Sequence, residues 1–438
     1  MKLRSIGIAV LAYALAAASA LLAASNPQDR EGLFAETAVI IVGAQAPALN
    51  GADISALSLA ASHDGRLTAI PMQVDEVRDG EHVFAWVSPK GREKGLHDRD
   101  VDNGRLDADD EIVFMARDLG PRAEPVQETG AAKAVELSVT DPASGRTAYA
   151  YLLLNSKLPR CQHDYVKMDI SGERLHIETE RYQFSQQADL GYFDELRVRT
   201  ANGNFTPDLV VRNQTPGVLK VKVIGLTGEV DFYDLIRGET IATKDGPVRA
   251  LWRAAGGADF GVFRIKGQGG TEQHYYFNRM DQPVMMDIPF DFNSVLSSFV
   301  IRGTVVLDPK VLPLTYYDVS HRQGVILDGV PDSPDGPLIG RDARDWCVGS
   351  GRGMSVYYIV HFPDEWKKTL KQVSFVDDGP GRSEGGSQFG DMVDLLTRGL
   401  HQYMVRFYIV PHEFKWGDEK NIEDMAGDKL QVSCAEVP

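Results

Sequence analysis

The feature that most limits what this chain can fold into is the alternation of short apolar runs with turn residues along nearly its whole length. Runs rich in Val, Ile, Tyr and Phe are separated by Gly, Pro, Asn and Asp, with 42 Gly and 22 Pro scattered among 438 residues. β-Branched and aromatic side chains suit a pleated, half-buried surface, and the separators suit the turns between strands. Val218-Leu-Lys-Val-Lys-Val223 alternates strictly, which predicts one buried and one wet face. The runs 147–154, 298–307, 355–362 and 403–410 read as core strands. Helical spacing is convincing only over Phe389, Met392, Val393, Leu396 and Leu400, with Asp391 near its start and Gly399 near its end; a shorter helix is expected over 364–370. No internal repeat is visible, so propellers and solenoids lose weight. The expected fold class is mainly β: a small N-terminal β-sandwich, then a larger β-supersandwich with one or two short helices.

The N-terminus sets the compartment. Lys2 and Arg4 precede an apolar run from Ile6 to Ala24, and the next charge is Asp29. Ala18-Ser19-Ala20 and Ala23-Ala24-Ser25 offer small residues for cleavage, so residues 1–25 read as a secretory signal peptide. The rival reading is an uncleaved anchor helix, but the run is rich in Ala. After cleavage no stable membrane span is expected, and the protein is assigned to the periplasm or the cell exterior. A composition shift near Pro159 then divides the rest into 26–158, a small β-sandwich domain, and 159–438, a large one. Formal charge is 46 − 62 = −16, which argues against a nucleic-acid partner, since such partners select basic faces. Cys161, Cys347 and Cys434 form no C-x-x-C pair, so thiol redox chemistry and zinc ribbons lack support. In an oxidising compartment Cys347 with Cys434 is the expected disulfide, with three free thiols as the alternative.

Residues 97–111, His-Asp-Arg-Asp-Val-Asp-Asn-Gly-Arg-Leu-Asp-Ala-Asp-Asp-Glu, carry the sharpest local signal. Calcium takes six to eight oxygen ligands from a loop that curls around it. Alternating acids supply those oxygens, Gly104 permits the bend, and so many carboxylates would repel one another without a cation. The expected ligands are Asp98, Asp100, Asp102, Asn103, Asp107, Asp110 and Glu111, holding a structural calcium. The loop resembles those of EF-hand and dockerin-type modules, although Gly104 falls one place late and Ile112–Ala116 reads as a strand, not an exit helix. The alternative is a solvated acidic turn.

Two further stretches carry a resemblance. Ile70-Pro-Met-Gln-Val-Asp75, followed by the segment from Asp102 to Phe114, looks like a small module placed ahead of sugar-active β-sandwiches in secreted bacterial proteins. The region around Gly246-Pro-Val-Arg249 is similar to galactose-mutarotase-like supersandwich domains. The resemblance implies a fold and a sugar-related setting. It supplies no active site, because the catalytic His and carboxylate of mutarotases map onto no positions here.

Other chemical candidates are sparse. No H-E-x-x-H, nucleophile elbow or Walker pattern occurs. Gly349-Ser-Gly-Arg-Gly353 reads as a loop before a strand. His361, His401 and His412 lie on or beside core-like segments, where a lone His is more often a hydrogen-bonded core residue than a ligand. The segment 376–391 reads as a long polar loop carrying Asp377, Asp378 and Glu384, which could serve a glycoside as acid and base or be plain surface. Aromatics at 275–277 and 316–317 could stack on sugars, but aromatics in strands are usually core. The leading expectation is a secreted or periplasmic protein that binds or processes a carbohydrate, with structural calcium. The alternative is a non-catalytic scaffold that binds other envelope proteins.

Overall fold

The computed structural model describes residues 34–99, 102–123, 129–188, 193–214, 216–221, 227–231, 236–259, 264–330, 338–339, 346–367, 370–377, 383–418 and 430–437. The signal segment 1–25, Asp100 and Asp378 lie outside the described residues. The fold is mainly β, built chiefly from antiparallel sheets layered as sandwiches with a few short helices. Among the described residues no helix is long and apolar enough to cross a membrane.

A five-stranded sheet runs in the order Arg66–Ile70, Leu57–His63, Thr147–Leu154, Lys133–Thr140, Gln431–Val437. A three-stranded sheet, Ala38–Val42, Glu111–Met115, Gln73–Asp75, packs on it. Val39, Ile41, Ile112 and Phe114 from one meet Leu59, Leu137, Val139 and Leu152 from the other in a shared core. Apolar side chains on one face of each sheet leave water together, the dominant stabilising term for such a layer. The sheet is completed by a strand from far downstream: Leu137 sits opposite Cys434 and Val139 opposite Val432.

The centre of the molecule is a ten-stranded antiparallel sheet. Its middle strands are Met354–His361, Gly399–Val410, Arg279–Ile288, Arg264–Tyr275 and Ala250–Asp259; the edge beyond Ile236–Lys244 is Trp86–Val87 from the N-terminal region. Both faces are covered, and the period of two decides which residue goes where. Tyr357, Ile359, Tyr408 and Val410 enter the core shared with the N-terminal sheets. Trp252, Tyr275, Phe407 and Ile409 enter another core, under the meander Val166–Ser171, Arg174–Thr179, Tyr182–Gln187, Phe193–Val198. A further sheet contains Leu296–Leu307, Leu370–Asp377 and Ser383–Asp391.

The strands expected at 147–154, 298–307, 355–362 and 403–410 are present, extended or shifted by a few residues. The helix expected over 389–400 is not. Phe389 lies in the strand that ends at Asp391, Met392 to Leu396 form one tight turn, and Gly399 opens the next strand. Met392, Val393 and Leu396 are apolar because that turn caps a core of Phe292, Phe299 and Trp366, not because they line a helix. The short helix is Asp364–Lys367. The polar segment 376–391 is largely a hairpin, with Asp377 pairing Ser383. Gly349 and Gly351 lie in the strand Trp346–Gly351, and the turn is confined to 351–353. Tyr275, Tyr276, Phe277 and Tyr316 are buried core. The disulfide expected between Cys347 and Cys434 is not formed: all three cysteines are free, Cys347 within the central sheet and Cys434 on the five-stranded one.

Candidate functional site

The site is built where the three-stranded sheet, the strand Glu81–Phe84 and the central sheet meet. Asp75 and Glu111 are cross-strand neighbours, so both carboxylates leave the same face. Arg249, two residues beyond Pro247, reaches both. It donates to Asp75 through Nε at 2.9 Å and through Nη2, and from Nη2 to Glu111 at 2.6 Å. Arg249 and Asp75 are 1% and 0% exposed, so both charges depend on each other for solvation. Lys244 also donates to Asp75, at 2.7 Å. Together Arg249 and Lys244 hold the Asp75 carboxyl far below the usual carboxylate range, against the opposing effect of burial.

Two segments singled out by the sequence therefore interlock. Gln73 Oε1 accepts from the backbone N–H of Val248 at 3.2 Å and of Arg249 at 3.1 Å, while its Nε2 donates to Asp75 at 2.7 Å. Gly246 is required by this approach, since a Cβ there would lie 2.2 Å from Gln73 Oε1.

Arg253, Glu272 and His274 lie on one face of the central sheet. Arg253 is directly opposite Glu272, and Glu272 and His274 are two apart on one strand. His82, from the strand Glu81–Phe84, closes over them. Its Nδ1 is 2.6 Å from Glu272 Oε1 and its Nε2 is 3.3 Å from Glu111 Oε2. His274 Nε2 is 2.9 Å from the same Glu272 Oε1. Arg253 donates to Glu272 Oε2 at 3.1 Å and also bonds Glu81. The side chains of His82, Glu272 and His274 are 15%, 11% and 17% exposed, so the cluster is enclosed yet reachable.

The electrostatics follow from this arrangement. Burial penalises a charged His82, but Glu111 and Glu272 on either side push its pKa up to about 9. Burial likewise opposes ionisation of Glu111, and His82 with Arg249 overcome it, holding the carboxyl down at about 2. Glu272 is held well below its ordinary value by the two imidazoles, again against burial. Burial lowers His274, and Arg249 and His82 add to that effect. At neutral pH the cluster thus presents a protonated His82 between two ionised carboxylates, with a neutral His274 beside it. Asp281, opposite His274, is bonded by Arg406 at 2.6 and 2.9 Å, which extends the charged row across the sheet.

The acidic loop lies on the other side of Asp75. Asp98 is drawn away from it, paired with Arg92. Glu111 points to His82 and Arg249. Asn103 Oδ1 accepts from the Arg105 backbone at 2.7 Å, and its Nδ2 donates to Asp107 at 3.2 Å. Asp110 accepts from the backbone of Val77 and of Asp107 at 2.9 and 2.7 Å. Asp102, Asp110 and Glu76 approach one another, and Glu76 Oε1 and Asp102 Oδ2 are buried oxygens without a hydrogen-bond partner. Burial, then Asp102 and Asp110, push the Glu76 carboxyl up to about 7.

The other expected site residues are not gathered into one cluster. Asp377 is buried and accepts from the backbone N–H of Asp328 and Gly329 at 2.7 and 2.9 Å and from Ser383 at 2.6 Å, so it organises a turn. Glu384 lies in the strand Ser383–Asp391. His401 stacks on Trp366 and bonds Thr397 O at 2.7 Å. His361 pairs with Met404 on the neighbouring strand, and His412 lies beyond that strand's far end, near Glu413 O. Among the described residues the three-residue metal-ligand geometry occurs at His82, Glu272 and His274 alone. Sequence reasoning missed those three, and Glu76. The signal present was Glu272-Gln-His274, two ligating types at strand spacing.

No protein-family model matches the chain, and no curated protein matches it either. Among solved structures it is similar to an alpha-mannosidase from Enterococcus faecalis V583, at 10% identity and a TM-score of 0.42, covering 87% of this chain and 40% of that one. It is also similar to a glycosyl hydrolase family 38 protein from Enterococcus faecalis, at 8% identity and a TM-score of 0.41, covering 87% and 42%. The Slr1438 protein from Synechocystis sp. PCC 6803 follows at 10% identity and a TM-score of 0.30, covering 57% and 97%. The chain spans less than half the length of the two Enterococcus proteins.

Proposed function

We propose that this is a secreted or periplasmic protein that binds or processes a carbohydrate at the His82 junction. The observation that carries the reading is an imidazole clamped between Glu111 and Glu272 and partly open to solvent, with Arg249 and Arg253 beside the two carboxylates. Sugar hydroxyls are recognised by carboxylate acceptors and by imidazole or guanidinium donors, and all three occur within this cluster. If chemistry takes place, His82 is the proton donor and Glu111 the anion that stabilises positive charge developing on a sugar ring.

Calcium belongs to the same proposal, held by the loop as a structural ion. Glu76, Asp102, Asp107 and Asp110 supply the oxygens, and the unpartnered buried oxygens of Glu76 and Asp102 support this assignment. Glu76 replaces Asp98 and Glu111, whose carboxylates are engaged elsewhere.

One observation favours the second reading, a non-catalytic scaffold for envelope proteins. Every carboxylate of the junction is already ion-paired, which also describes a clamp between the N-terminal strands and the central sheet. A panel of polysaccharides offered to the mature protein, with calcium and with chelator, separates the two. The carbohydrate reading expects binding, or new reducing or unsaturated ends, abolished by Glu111→Gln. No response to any glycan overturns it and leaves the clamp.

A further inference from the structure

The same junction carries a second kind of chemistry. One ring nitrogen each of His82 and His274 and a carboxylate oxygen of Glu272 lie within 4.8 Å of one another; His82 Nδ1 and His274 Nε2 are the nitrogens that approach Glu272 Oε1, at 2.6 and 2.9 Å. A metal at 2.0–2.2 Å from each ligand fits among donors separated by roughly 3–4 Å, so the observed spacing needs only small rotations. The donors are two imidazoles and one carboxylate, the set that suits a divalent transition ion; calcium would select oxygens alone.

Two features around the donors point the same way. Glu111 Oε2 lies 3.3 Å from His82 Nε2, the nitrogen that faces away from Glu272. A carboxylate in that position fixes the proton on Nε2 and turns the Nδ1 lone pair inward, as the outer partners of metal-bound histidines do. Arg253 occupies Glu272 Oε2 and leaves Oε1 directed at both imidazoles.

We infer that His82, His274 and Glu272 form a binding site for a divalent transition metal of the zinc class, with Glu111 as the orienting partner of His82. This deepens the carbohydrate reading, since three protein ligands leave coordination positions for a sugar oxygen or a water, but it can stand or fall apart from it. Binding releases the Nδ1 proton of His82 to solvent while its Nε2 proton stays toward Glu111, and it takes His274 as the tautomer protonated on Nδ1, with its Nε2 lone pair toward the metal; no covalent intermediate forms.

The test uses the full chain and zinc ion alone as the probe, so it needs no glycan. Chelator-stripped protein is dialysed against Zn2+ and its metal content measured; Co2+ is then substituted for its visible absorption. The expected result is about one metal per chain, lost in His274→Ala and His82→Gln. Glu111→Gln is expected to weaken binding about 10–100-fold without abolishing it. His412→Gln, at a histidine outside both clusters, leaves zinc uptake unchanged, and circular dichroism checks that each variant is folded. Wild-type protein that takes up no zinc overturns the inference. So does uptake that survives both histidine substitutions, or that disappears with His412→Gln instead.

Discussion

Asp75 and Arg249 form a fully buried ion pair between residues 174 positions apart. Asp75 ends a short strand of the N-terminal region, and Arg249 leads into a strand of the central sheet. Through this pair the two parts of the chain share one charge, and Gln73 and Lys244 brace it from either side.

Breaking that pair is costly because the partner stays buried. Arg249→Met leaves the buried Asp75 with Lys244 as its cation and Gln73 as its neutral donor, and leaves Glu111 with His82, and a loss of about 3–5 kcal/mol is expected. Urea unfolding measures it; a loss below about 1 kcal/mol would mean the pair does not anchor the junction.

The approach of Gly246 to Gln73 gives a steric prediction. Gly246→Ala drives a methyl into an amide pinned by three hydrogen bonds. A loss of roughly 1–3 kcal/mol is expected. Gln73→Ala in the same background relieves the clash, so a double-mutant cycle in which the two losses simply add counts against this geometry.

In metal-free protein His82 makes stability depend on pH in a defined direction. Its pKa rises from 6.5 unfolded to about 9 folded, so its contribution is complete below 6.5 and disappears as pH climbs through 9. Glu111, depressed from 4.5 to about 2, contributes above 4.5 and loses its contribution as pH falls through 2. Both are present between about pH 4.5 and 6.5. His82→Gln is therefore expected to cost about 2–3 kcal/mol at pH 6 and almost nothing at pH 10. Denaturation curves for the two proteins that stay parallel across that range contradict the assignment.

The acidic loop makes the opposite prediction. Glu76, raised from 4.5 to about 7, favours the folded state while protonated and opposes it as pH rises through 7. In chelator at pH 8, Glu76→Gln is expected to stabilise by about 1 kcal/mol, allowing for solvent screening. Calcium at about a hundred times its Kd is expected to stabilise the wild type by about 2.7 kcal/mol, and Asp102→Asn to lose that response. Thermal unfolding unchanged by calcium would leave the loop a solvated acidic turn.

Much of the sheet structure was legible because alternation is local. The buried pattern of Tyr357, Ile359 and Tyr408, Val410 is visible in the strand sequences themselves. The false helix at 389–400 arose because apolar residues gathered by a strand end and a turn mimic a period of 3.6. The acidic loop and the Gln73-Val-Asp75 segment stood out, but their shared partner Arg249 comes from 138 to 176 positions further on (249 − 111 and 249 − 73). Spacing along a chain carries no record of which distant strands will lie side by side. His82 was invisible for the same reason: it is one histidine in a four-residue strand until Glu111 and Glu272 close around it.

The placement of Gln431–Val437 beside Lys133–Thr140 has a consequence for how the protein is made. On the ribosome, or emerging from a translocation channel, the first sheet waits with an unpaired edge while nearly three hundred residues follow (431 − 140 = 291). Exposed edges recruit other strands, so until Gln431–Val437 arrives that edge stays open to any strand able to pair with Lys133–Thr140.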